Sequence, residues 1–208
     1  DPSVQLRFKG GAKDQQETAS FLGKAFLVGL GLIALILVAE FNSLFQPLLV
    51  LTAVLFSTGG VLLGLMVTGR PFSLVNCGIG TIALAGIIVN NNIVLIDTYN
   101  KLREAGMAAR EAVLRTCAQR LRPVLLTKVV MILGLLPMAL RLNIDILDRK
   151  IHFGGPSGQW WAEMATVIIG GLIFASILTL LLTPSILMIE ARIGAWFAAR
   201  RAVGATSG

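Results

Sequence analysis

The sequence predicts an all-α integral membrane fold, a bundle of five transmembrane helices preceded by a short extramembrane remnant. Three observations carry this. Mean hydropathy is +0.80. Charged residues make up 14% of the chain, against about 25% in a soluble domain. The apolar residues fall in blocks of roughly 20, the length that crosses about 30 Å of hydrocarbon.

Residues 1–20 are polar, with charges of both signs, and VQLRF at 4–8 alternates like a short strand ending at Gly10-Gly11. This stretch reads as the end of an extramembrane domain. The chain opens on Asp1 without a signal-peptide pattern, so it reads as a piece of a longer protein. The first span is expected over 21–40, with Lys24 placed to snorkel to the interface. Glu40 and Asn42 mark the turn that follows. Pro47 suits the first turn of the second span, 48–68, where a missing N–H is harmless. The turn TGRPFS leads into a third span at 74–98.

Residues 99–122 are rich in Lys and Arg and helically periodic, through Ala109, Ala112, Val113 and Leu121. They read as a helix or loop lying along the membrane surface. The fourth span is expected at 123–141, loosened by Pro137. A mixed-charge loop at 142–163, the fifth span at 164–189 and a tail at 190–208 complete the chain.

Loop charge sets the orientation. Six basic residues lie in 99–122 (Lys101, Arg103, Arg110, Arg115, Arg120, Arg122), and Arg192, Arg200 and Arg201 lie in the tail. Both segments are expected on the cytoplasmic side, with residues 1–20 and 142–163 outside. Trp160 and Trp161 then mark the outer interface and Trp196 the inner one. Cys77 and Cys117 fall about one bilayer apart, too far for a disulfide.

The net charge of +7 fits membrane anchoring better than nucleic-acid binding, because no basic patch is interleaved with aromatics. No metal-ligand cluster is present, and His152 is the only histidine. Without a Walker A loop, HExxH or GxSxG, no catalytic residue and no cofactor is expected.

Chemistry concentrates on two spans. Asn90, Asn91 and Asn92 lie in mid-membrane on the third, followed by Asp97. Consecutive residues sit about 100° apart, so three amides cannot all face lipid, and at least one must look into the bundle. Asn90 and Asp97, seven apart, share a face. Such amides either join helices by hydrogen bonds or serve a polar pathway. On the fourth span Arg120 and Thr127 share a face. Lys128, roughly 8 Å past Pro123, either snorkels or is a buried cation facing a carboxylate. Glycines at Gly60, Gly64, Gly78, Gly80, Gly86, Gly170 and Gly171 permit close helix approach.

The segments FLGKAFLVGLGLIALILVAEFNSLFQPLLVL, GRPFSLVNCGIGTIALAGIIVNNNIVLIDTYNKLREAG and RLRPVLLTKVVMILGLLPMAL resemble the resistance-nodulation-division (RND) efflux permeases. Their nearest likeness is the hydrophobe/amphiphile exporter, or acriflavine-resistance, subfamily. The stretch NIDILDRK through GPSGQWWAEMAT resembles a variant loop of that subfamily. The resemblance implies helices eight to twelve, the second half of a permease, with residues 1–20 closing a periplasmic porter domain. It also implies a proton antiporter, not an enzyme, in the bacterial inner membrane. The family pump is a homotrimer working with a periplasmic adaptor and an outer-membrane channel to export amphiphiles.

By position, the family threonine of helix eleven falls at Thr127 and the arginine seven residues earlier at Arg120. The family lysine of helix ten falls at Asn90, an amide that cannot neutralise a carboxylate. The essential aspartates belong to helix four, outside this sequence. The expected proton-relay set is Asn90, Asn91, Thr127, Arg120, Lys128 and Asp97, with Lys128 supplying the missing cation. Metal export is the rival reading, disfavoured because Met66, Met131, Met138 and Met164 are scattered. Lipid export is a second rival within the superfamily, and a truncated membrane fragment that transports nothing is a third.

Overall fold

The computed structural model describes residues 11–145, 150–153 and 156–205. The expected strand at 4–8 lies outside them. The order is α1 (Gly11–Phe41), α2 (Phe45–Thr68), α3 (Leu74–Glu104), α4 (Ala109–Ala139), β1 (Leu142–Asp145), β2 (Lys150–Phe153) and α5 (Pro156–Ala205). Among the described residues, five helices are long and apolar enough to cross a membrane.

The elements outrun the expected spans. Helix α1 takes in residues 11–20, so the part of the polar remnant that is described is helical. Residues 99–122 form no separate surface helix. They are divided between the end of α3 and the start of α4, which are 31 residues each, or about 46 Å. Ala, Leu, Arg and Glu propagate helix well, and the break is left to Gly106, at φ 82°, a conformation suited to glycine. Pro123 and Pro137 are both accommodated inside α4. The 142–163 loop holds an antiparallel hairpin pairing Leu142 with Phe153 and Asp145 with Lys150. Helix α5 continues beyond 189 to Ala205.

Two caps follow the sequence. Helix α1 ends with Asn42 at φ 45°, its N–H bonded to Val38 O at 3.0 Å. Helix α2 ends at Gly69 in the left-handed region, its N–H directed to the Leu65 and Met66 carbonyls.

Helix α5 packs against α2, α3 and α4, and α1 rests on α2 and α3. The α2–α5 crossing is backbone on backbone. A Cβ on Gly64 would lie 2.9 Å from Gly170 Cα, and one on Gly60 would lie 2.3 Å from Phe174 Cβ. Gly171 is equally tight against Leu84 of α3. The core between these helices is lined by Val50, Val54, Leu84, Ile96, Val167 and Leu172.

Candidate functional site

The polar residues of α3 and α4 divide between an uncovered face and the packed interior. On α3, one stripe stays uncovered from end to end: Val75, Ile79, Ala83, Gly86, Asn90 and Val94 are exposed and Asp97 is half-exposed. The spacing of three and four residues is that of one helix face. Helices α1, α2, α4 and α5 pack on α3, and this stripe is what they leave open. Asn90 sits at its centre.

Asn91 and Asn92 turn inward and are 7% and 0% exposed. Asn92 Nδ2 donates to Ile88 O at 3.1 Å. Asn91 Nδ2 is buried without a hydrogen-bond partner among the described residues.

The described chain does not by itself bring Asn90, Asn91 and Thr127 together. Within this chain Asn90 and Thr127 are exposed and only Asn91 is buried. The Thr127 hydroxyl donates to Pro123 O at 2.9 Å, back along its own helix. Arg120, on the same helix face as Thr127, reaches α3 instead: its Nε donates to Thr98 Oγ1 at 2.7 Å. Thr98 in turn donates to Val94 O at 2.8 Å. Asp97 pairs with Lys101 at 2.8 Å, an exposed contact one turn away.

Lys128 is neither snorkelled nor aimed at the open stripe. It is 3% exposed and lines a cavity with Leu95 of α3, Cys117 of α4, and Thr179, Leu180 and Pro184 of α5. Among the described residues, no carboxylate lines that cavity. The lysine and the Asn90 stripe thus belong to different faces of the α3–α4 pair.

Two further polar junctions carry no signal in the sequence. Gln46 and Asn100 exchange hydrogen bonds at 2.9 and 3.0 Å between α2 and α3. Arg70 donates through Nη1 to Ala162 O at 2.6 Å and through Nη2 to Ala139 O, tying the α2–α3 turn to α4 and α5. Burial and Arg141 lower the Arg70 pKa, and Glu163 opposes them; a guanidinium is basic enough to stay charged regardless. Buried Thr116 has an unpartnered hydroxyl among the described residues. Partners 54 to 92 residues apart leave no local pattern to read. Cys77 and Cys117 are both free thiols.

A model of the AcrB/AcrD/AcrF family matches residues 1–190. The chain is 34% identical over 190 residues to swarming motility protein SwrC of Bacillus subtilis, covering 91% of this chain and 17% of that protein. It is 35% identical over 176 residues to cobalt-zinc-cadmium resistance protein CzcA of Cupriavidus metallidurans, covering 84% and 15%. It is 29% identical over 203 residues to multidrug resistance protein MdtC of Edwardsiella ictaluri, covering 97% and 18%. Among solved structures it is similar to a heavy metal efflux pump, with TM-score 0.72 and 33% identity over 90% of this chain and 18% of that one. The chain spans about one sixth of the length of the curated relatives it matches.

Proposed function

Because the chain belongs to the AcrB/AcrD/AcrF family of RND efflux permeases, we propose that it forms helices eight to twelve of a proton-driven exporter and supplies one wall of its proton pathway. The supporting observation is the open stripe. Asn90, an amide at the centre of an apolar span, and Thr127 on the neighbouring helix are exposed on this chain. A polar group facing hydrocarbon is costly, and intramembrane polar residues face a bundle interior or a water-filled cavity. The stripe is therefore covered by the rest of the permease, which brings the carboxylates that carry the proton.

Proton entry down a potential of about 100 mV releases about 2.3 kcal/mol per charge. Protonation of a carboxylate facing Asn90 and Thr127 removes its demand for donors, and the two packings of the bundle exchange. Asp97, at the end of the stripe, and Arg120, fixed to Thr98, set the position of the pathway mouth. The pump sits in the inner membrane as a homotrimer with its C-terminus cytoplasmic, and works with a periplasmic adaptor and an outer-membrane channel.

The proposed cargo is an amphiphilic drug, a reading supported by the MdtC relative's name as a multidrug resistance protein. A metal ion is the second reading, favoured by the names of CzcA and of the structural relative. Parallel growth assays on ethidium and detergents and on Zn²⁺, Co²⁺ and Cd²⁺ separate the two. Under either cargo, Asn90→Leu and Thr127→Val lose resistance at normal membrane abundance. Full resistance in both variants overturns the pathway assignment.

A further inference from the structure

The cavity around Lys128 has a volume of about 60 Å³. A space of roughly 10–15 Å³ on this measure already admits one water, so the cavity has room for water beside the ammonium. Its polar lining is sparse. The Thr179 hydroxyl is committed to Ala175 O at 2.7 Å. A Cys117 thiol is a weak donor. An ammonium with three hydrogens and no counter-charge among the described residues lining its cavity must find carbonyl or water acceptors.

Helix α5 offers one. Pro184 lies inside α5 and has no N–H, so the carbonyl four residues before it, that of Leu180, has no helical donor. The Ser185 hydroxyl donates to the neighbouring Leu181 O at 2.6 Å. Leu180 and Pro184 both line the Lys128 cavity.

We propose that Lys128 is a positioning residue that straps α4 to the proline break in α5, its ammonium reaching the Leu180 carbonyl through water held in this cavity. Two defects thereby compensate each other: a buried cation with no carboxylate among the described residues of its cavity, and a helix carbonyl without a donor. The strap ties the helix bearing Arg120 and Thr127 to α5, and it operates whatever the pump exports.

A double-mutant cycle on the complete permease tests this. Two readouts need no cargo: thermal melting in detergent, and the rate of N-ethylmaleimide labelling of Cys117, which shares the cavity, with the other cysteines replaced. Lys128→Met lowers the melting temperature and accelerates labelling about fivefold, as expected for loosening of a local contact. Pro184→Ala restores the N–H that Leu180 lacks. In that background Lys128→Met changes labelling less than about twofold, within the scatter of uncoupled sites. An equal effect of Lys128→Met in both backgrounds, or none in either, overturns the strap. If Lys128→Met fails to accumulate, membrane abundance becomes the readout. Recovery on adding Pro184→Ala supports the strap, and continued absence overturns it. Because neither readout uses a transported compound, these results are independent of the export reading.

Discussion

Arg120 of α4 donates its Nε hydrogen to the hydroxyl of Thr98 on α3 at 2.7 Å. Thr98 is buried and passes its own hydrogen to Val94 O. The arginine head is thereby fixed to one turn of α3. Thr98→Val keeps the shape and removes the acceptor. It destabilises by about 1.5 kcal/mol, the lower end for a hydrogen bond to a charged group. Arg120→Ala in the Thr98→Val background then adds less than it does alone, as measured by melting of the solubilised permease.

The Gln46–Asn100 exchange joins α2 to α3, and Gln46 is 5% exposed. Replacing one partner strands the other. Gln46→Leu is expected to cost about 1–3 kcal/mol, whereas Gln46→Leu with Asn100→Leu recovers most of it. Thermal unfolding of the three variants reads this directly, and equal destabilisation of single and double variants contradicts it.

Gly170 tolerates no side chain. Its Cβ would lie 2.8 Å from Gly64 Cα and 2.9 Å from Gly60 O, and backbone atoms cannot step aside as a flexible side chain does. Gly170→Val should abolish accumulation in the membrane. Gly170→Ala should lower the melting temperature through overpacking of about 1–3 kcal/mol. Gly134 has nothing within 4 Å, and Gly134→Ala is the matched control at which accumulation stays normal.

Arg70 holds two carbonyls, on Ala162 and Ala139. A planar fork does this and a lysine ammonium does not. Arg70→Lys, which retains the charge, is expected to lose most of the stability lost by Arg70→Ala. Near-native melting of Arg70→Lys would show that charge alone matters at this junction.

Five spans are legible in composition because roughly 20 apolar residues in a row have few other fates. The Gly69 turn and the glycine crossings are legible for local reasons, a left-handed cap and small residues at helical spacing. The ends of α3 and α4 are not. Hydropathy changes at residue 99, but the helix does not end there, since charged residues such as Arg103 and Glu104 propagate helix as well as apolar ones. The directions of Asn90 and Lys128 are not legible either. A helix that is apolar on all sides shows no preferred face, and which neighbour takes each side is set by glycine contacts far away in sequence. Adjacent asparagines, Asn90 and Asn91, therefore differ in exposure.

The α2–α5 crossing, where Gly60 and Gly64 meet Gly170, has a mechanical consequence. Interdigitated side chains can shift from one rotamer to another and let helices slide. Two main chains in direct contact have no such gears to shift. Helices α2 and α5 are thus welded into one rigid body at this crossing, and any relative movement of the spans must be taken up elsewhere in the bundle, where side chains separate the rods.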